Sequence, residues 1–205
     1  TDPSSIVDVV LDPADARALE QLAEVVVANP QAARTLVEVL RAGEDLDVPA
    51  ALALESFAYS MLLAGPEFAR WLSSRRPATP RRFAGPPVAV HREGDVVHVE
   101  LRRPENRNAF SAAMRDALFE ALAMAETDPT VELHLSGAGP AFCSGGDLTE
   151  FGTTPDVVRA HQIRTQRSIG ALLARIGHRA TAHVHGSCVG AGVELPAFAG
   201  RVVAA

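Results

Sequence analysis

From Arg75 to Pro87 the chain reads Arg-Arg-Pro-Ala-Thr-Pro-Arg-Arg-Phe-Ala-Gly-Pro-Pro, thirteen residues with four prolines and no hydrophobic period. Proline locks φ and carries no N–H, so neither a helix nor a central strand runs through such a stretch. The chain must therefore fold as separate pieces on either side of it. Residues 1–76 form one segment, 77–87 a linker, and 88–205 a second segment. The four arginines here (Arg75, Arg76, Arg81 and Arg82) could contact phosphate, but a solvated linker is the plainer reading of such a cluster.

The two segments obey different periodicities. Before the prolines, apolar residues recur at helical spacing. Asp12-Pro13 reads as a helix start, followed by Leu19, Leu22, Ala23 and Val26 on one face. Asn29-Pro30 separates a second helix with Ala33, Leu36, Val37 and Leu40, closed by Gly43. A third follows Pro49 with Leu54, Phe57, Ala58, Met61 and Leu62, and after Gly65-Pro66 a short helix carries Phe68, Trp71 and Leu72. Past Pro87 the residues alternate. Val88–Arg92 and Val96–Leu101 read as strands around the hairpin signal Glu93-Gly94-Asp95, with Val97, Val99 and Leu101 facing one way and His98 and Glu100 the other. Ser111 caps a helix with Met114, Ala117, Leu118, Ala121 and Leu122 inside; Val131–Leu135 is a further strand. One long helix is expected from about Pro155 to Ile176, then a strand at Ala182–His185 and a helix around Val193. Strand and helix in alternation mean crossover units on a parallel sheet, an α/β core behind an all-α segment.

Several function classes are excluded or disfavoured. The formal net charge of −6 opposes sequence-independent nucleic-acid binding. No apolar run approaches the roughly 20 residues that cross a bilayer, and the first residues show no signal-peptide pattern. Two cysteines, Cys143 and Cys188, make no disulfide framework. A soluble, cytoplasmic protein without nucleic-acid or membrane partners is the expectation. All 19 basic residues are arginine, so no lysine can form a Schiff base or reach a phosphate.

Two turns carry chemistry. Gly139–Leu148 (Gly-Pro-Ala-Phe-Cys-Ser-Gly-Gly-Asp-Leu) follows a strand, and its adjacent glycines let a ligand approach backbone N–H groups closely. Gly186–Glu194 (Gly-Ser-Cys-Val-Gly-Ala-Gly-Val-Glu) joins a strand to a helix whose first N–H groups point outward. Turns at the same ends of parallel strands can face each other and hold one oxygen between two N–H donors. Alone, neither is decisive, because such turns also bind dinucleotides and phosphates. The second lacks a third glycine at dinucleotide spacing, and no Gly-Lys-Ser/Thr exists for a P-loop.

Three runs together are more specific. Arg103-Pro-Glu-Asn-Arg-Asn-Ala-Phe-Ser111, Ala141-Phe-Cys-Ser-Gly-Gly-Asp-Leu148 and His185-Gly-Ser-Cys-Val-Gly-Ala-Gly-Val-Glu-Leu195 resemble, in order and spacing, three motifs of the crotonase (enoyl-CoA hydratase/isomerase) superfamily. The resemblance covers roughly Val88 to Ala205 and implies a crotonase-like ββα spiral core. This core is incomplete at the C-terminus, since relatives continue beyond the strand in which this chain ends. A fragment, or the ordered part of a longer protein, is favoured over a natural remnant.

The resemblance implies an enoyl-CoA hydratase (a lyase) or isomerase that stabilises a thioester enolate. Its oxyanion donors would be the N–H groups of Gly146 and Ala191, and Glu194 one of its two catalytic carboxylates, the second lying beyond residue 205. Alanine at 191, where relatives have glycine, keeps the N–H but adds a Cβ. The resemblance also places Ala141, Cys143, Ser144 and Asp147 in the CoA-binding loop, and Arg103 and Arg107 where relatives have basic contacts to CoA. It implies no cofactor, coenzyme A being part of the substrate, no metal, an acyl-CoA thioester as partner, and a homotrimer or hexamer. Alternative readings are a cofactor-independent superfamily dioxygenase of an arylacetyl-CoA, whose relatives carry a similar helical prologue, or an acyl-CoA-binding or assembly module without turnover.

Plainer readings stand beside these. Glu194 by spacing alone is a first-turn glutamate. Asp147 reads as a cap, and Glu150 could reach the pocket without being assigned a role. Cys143 and Cys188 read as packing residues. His183 and His185 lie at i and i+2 as a metal pair could, but no third ligand has suitable spacing, so a structural role is favoured.

Overall fold

The computed structural model describes residues 15–76, 84–154 and 156–205. The expected helix start at Asp12-Pro13, the linker residues 77–83 and Pro155 lie outside the described residues. The chain divides into two compact units, Thr1–Arg75 and Arg76–Ala205.

The first unit contains α1 (Ala16–Ala28), α2 (Pro30–Gly43), α3 (Val48–Leu63) and α4 (Pro66–Ser74). Side chains close the helix ends: Asp15 accepts from Ala18 N and Asp47 from Ala50 N, both at 2.9 Å. Glu67 on α4 accepts from Gln31 N and Ala32 N at 2.7 and 2.9 Å, satisfying two orphan donors at the start of α2. The apolar faces read from the sequence remain largely open. Leu36, Phe57 and Met61 are about 60% exposed, and among the described residues of these helices only Thr35 and Ser56 are buried. Helices that pack mainly on their sequence neighbours cover one side of each other and leave the other uncovered. No single helix among the described residues is long and apolar enough to cross a membrane.

The second unit is built on five strands in sequential order: β1 (Val88–Glu93), β2 (Val96–Leu101), β3 (Glu132–Gly137), β4 (Ala180–Val184) and β5 (Arg201–Ala204). β1 and β2 form the expected hairpin with Gly94 at φ 59°; β2 through β5 are parallel, joined by crossover segments. These segments carry α5 (Ala112–Glu126), α6 (Val157–Gln166), α7 (Ile169–Ile176) and α8 (Ala191–Ala197). The alternation places Val97, Val99, Leu101, Leu133, Leu135 and Ala182 against Met114, Leu118 and Leu122 of α5 and Leu172, Leu173 and Ile176 of α7, all less than 9% exposed. The long helix expected up to Ile176 is in fact α6 and α7. It breaks at Arg167-Ser168 because Ser168 Oγ accepts from Ala171 N at 3.1 Å and starts a new helix. The break turns the apolar stripe of α7 onto α5.

Candidate active site

The two glycine turns run side by side. Phe142 N donates to His185 O (2.8 Å), Cys143 N to Ser187 O (3.2 Å), and Val189 N to Cys143 O (3.1 Å), so the first turn continues the parallel pairing of the sheet into the second. Glycine meets glycine between them: a Cβ added to Gly190 would stand 3.6 Å from Gly145 Cα. Gly190 has φ 52° and ψ −117°, which a side chain would strain, and this bend starts α8. Behind it, Gly192 lies so close to Cys143 that a Cβ would meet its carbonyl oxygen at 2.2 Å.

The peptide after each contact glycine is oriented by its carbonyl. Gly145 O accepts from Phe110 N at 2.7 Å, and Asp147 N donates to Phe110 O at 2.9 Å. In a trans peptide the N–H points opposite to the C=O, so the Gly146 N–H is turned away from Phe110. Likewise Gly190 O accepts from Val193 N (2.7 Å) and Glu194 N (2.9 Å), which aims the Ala191 N–H out of the helix start. Among the described residues, neither N–H donates to a protein acceptor. Gly146 is exposed, with the Phe151 ring 3.2 Å from where its Cβ would be. Glu194 is exposed, and its Oε1 lies 3.9 Å from a Cβ position on Gly190, so the carboxylate stands beside the same pair of peptides. Leu148, Val189 and Val193, each more than half exposed, belong to the turns themselves.

The remaining residues expected at the site divide by burial. Ala141 and Cys143 are 1% and 0% exposed, so their side chains belong to the interior. Burial pushes the Cys143 thiol up, with Cys188 and Glu194 adding to the effect and the Gly145 N–H opposing it. The side chain of Arg103 is interior too, which corrects its expected contact with CoA. Its guanidinium bonds Asp147 Oδ2 at 2.8 Å and Ala109 O at 2.7 Å, with both side chains about 5% exposed, so it cannot meet an incoming phosphate. Asp147 is likewise an internal anchor rather than a substrate contact. Burial raises its pKa, but hydrogen bonds from Thr149 and Arg103 outweigh this and hold the carboxyl below the usual value. It caps the 3-10 turn Leu148–Glu150, as the capping reading expected. Glu150 accepts from Ala112 N at 2.7 Å and so helps to start α5. Ser144 is half-buried with its N–H on Arg107 O at 3.0 Å, and Arg107 is an exposed cation in a left-handed turn at φ 49°.

One organiser was missed in the sequence. Asn108, 0% exposed at φ 54°, accepts from Arg103 N (2.7 Å) and donates to Ala138 O (2.9 Å) and Ala141 O (2.8 Å). It ties the 103–111 run to the first glycine turn. The signal was available: asparagine is enriched in the left-handed region and can satisfy several backbone groups at once. His183 and His185 do not act together: His183 meets His134, whereas His185 Nε2 lies 2.9 Å from Gly139 O beyond the strand end. Among the described residues no group of three or more His, Cys, Asp or Glu could hold a metal ion.

Comparison with known proteins agrees with this arrangement. The family described as enoyl-CoA hydratase/isomerase matches residues 91–205. The 1,2-epoxyphenylacetyl-CoA isomerase of Escherichia coli is 35% identical over 124 residues, 58% of this chain and 47% of that protein. The hydroxycinnamoyl-CoA hydratase-lyase of Pseudomonas fluorescens is 34% identical over 111 residues, covering 51% of this chain and 40% of the relative. Among solved structures, an enoyl-CoA hydratase of Mycobacterium smegmatis superposes with a TM-score of 0.53 at 32% identity, over 58% of this chain and 48% of that one. The chain thus spans about half the length of the relatives it matches. Sheet order, paired glycine turns and these matches converge on one statement: the chain belongs to the enoyl-CoA hydratase/isomerase family.

Proposed function

We propose that this chain supplies the thioester-activating half of an enoyl-CoA hydratase or isomerase. The Gly146 and Ala191 N–H groups bind the thioester oxygen, and negative charge accumulates there as the α-carbon gains or loses a proton. The observation that carries this reading is the pair of outward N–H groups on touching turns, each fixed because the carbonyl of its own peptide is bonded behind it. Preorganised donors cost no reorganisation as the enolate forms, and losing one lowers kcat by roughly 10²–10³. Glu194, beside Gly190, moves the proton to or from the α-carbon or a water. Arg107, the exposed cation beside Ser144, meets the phosphates of CoA, and the exposed Leu148, Val189 and Val193 face the acyl group. The second carboxylate of a hydratase lies outside this chain, and the whole protein forms a homo-oligomer.

Ala191→Pro tests the donor. Residue 191 is the first position of α8, where proline fits a helix; the substitution removes the N–H and sets the ring Cδ in its place. In the whole protein, hydration of crotonyl-CoA should fall by about 10²–10³ with KM little changed. Because two relatives act, by name, on aromatic acyl-CoAs, the panel includes arylacetyl- and cinnamoyl-type thioesters. Glu194→Gln should abolish hydration while leaving CoA-thioester binding intact. Full turnover by the proline variant refutes the donor role, and full turnover by the glutamine variant removes Glu194 from the chemistry.

A further inference from the structure

Four of the seven histidines stand in one row across the sheet: His91 on β1, His98 on β2, His134 on β3 and His183 on β4. The register pairs His91 with His98 and His98 with His134; His183 lies two residues beyond Thr181, the partner of His134. They alternate with the core residues Val97, Val99, Leu133, Leu135 and Ala182 and therefore occupy the opposite face. Successive ring centroids are 6.3, 5.3 and 5.0 Å apart. At the end of the row, His134 Nδ1 and His183 Nε2 face each other at 3.1 Å.

We propose that His134 and His183 form a binding site for a borderline-soft divalent cation such as zinc, nickel or copper on this outer face. Two imidazole nitrogens bound at about 2.0–2.1 Å to one ion stand about 2.9 Å apart at a right angle and about 3.4 Å apart at a tetrahedral angle. The observed separation falls between these limits, so the two nitrogens need not be drawn together or apart; rotation of the rings brings both lone pairs onto an ion beside the line that joins them. In the empty pair one ring donates its N–H to the other. Binding requires the donor ring to carry its proton on its other nitrogen, after which both lone pairs face the ion. Burial, together with the neighbouring His183 and His98, lowers the His134 pKa against the opposing pull of Glu132, which favours the neutral ring that a cation needs. The charged groups on this face of the neighbouring strands are Glu93 (β1), Glu100 (β2), Glu132 (β3) and Arg201 (β5). With no third protein ligand converging among the described residues, water completes the coordination. The ion clips β3 to β4 beside their three paired positions, Leu133↔Ala180 to Leu135↔Ala182. These are the strands that lead into the two glycine turns.

The test is titration of zinc chloride alone into the chain at pH 7.5, followed by calorimetry and thermal unfolding. One equivalent should bind and Tm should rise with zinc concentration. His134→Asn and His183→Asn should each weaken binding about tenfold or more, while His161→Asn, on α6, should leave it unchanged. The zinc-free Tm of each variant reports folding separately, and His→Gln replacements serve where an asparagine variant does not fold. In the unsubstituted chain, binding should weaken between pH 7.5 and 5.5, because protons compete with the ion for the ring nitrogens. No binding at millimolar zinc overturns the proposal, as does affinity unchanged in either His134 or His183 variant, or unchanged at pH 5.5.

Discussion

Asp147→Asn probes the support beneath the Gly146 N–H. The substitution keeps size and keeps an oxygen for Thr149, but it removes the charge opposite Arg103. It also sets an NH₂ against the Arg103 and Asn106 donors, now 2.8 and 3.3 Å from Oδ2. The Arg103 side chain is 6% exposed and cannot turn to water. Breaking a buried ion pair from one side costs about 3–5 kcal/mol, mostly for the stranded charge. For a unit of this size each kcal/mol lowers Tm by about 3–5 °C, so the midpoint should drop by roughly 10–20 °C. Urea unfolding followed by circular dichroism measures the loss directly. Replacing both partners, Arg103→Met with Asp147→Leu, removes the stranded charge and should recover most of the stability. In the whole protein that double variant should still lose activity, because the Gly145–Asp147 loop no longer has its anchor. A loss under about 1 kcal/mol for Asp147→Asn, or a double variant no more stable than the single one, refutes the reasoning.

Gly192→Ala places a Cβ 2.2 Å from Cys143 O, so α8 must separate from the first turn; a destabilisation of about 3 kcal/mol is expected in urea. Gly43→Ala, with nothing within 4 Å, should instead be neutral or gain about 0.5 kcal/mol. Stability should fall with acid in two stages. His134 has a lowered folded pKa, so below the ordinary 6.5 the unfolded chain binds a proton the folded one refuses, and acid favours unfolding. Asp147, also lowered, contributes stability that is present above the ordinary 3.8 and lost as pH falls through its folded value. A pH series of urea midpoints should lose the first stage in His134→Asn and show a smaller second stage in the Arg103→Met, Asp147→Leu variant, where the lowered Glu126 and Asp128 still contribute.

The regular part of the fold was legible because periodicity reports burial. Val97, Val99 and Leu101 alternate with His98 and Glu100, and the sheet buries the first set. The Ser168 cap, which splits α6 from α7, was also written in the sequence but outweighed there by the long apolar pattern. The helical segment was legible only as helices: spacing marks an apolar face at Leu36 or Phe57 without saying whether anything covers it.

Order and spacing of three short runs determined the family, because glycines and a following glutamate recur where backbone must approach a ligand. Tertiary structure alone decided which of those residues look outward. Arg103 and Asp147 read as charged groups available to a substrate, yet they face each other in the interior, while the groups turned outward without a protein acceptor among the described residues are two main-chain amides that no side-chain letter encodes. The row of histidines was equally hidden, since His91, His98, His134 and His183 meet only when the pairing of four strands, one pair antiparallel and the others parallel, sets their register. A linear sequence records which groups exist; their direction depends on which carbonyl is bonded behind each amide and which strand lies alongside, and both are long-range contacts.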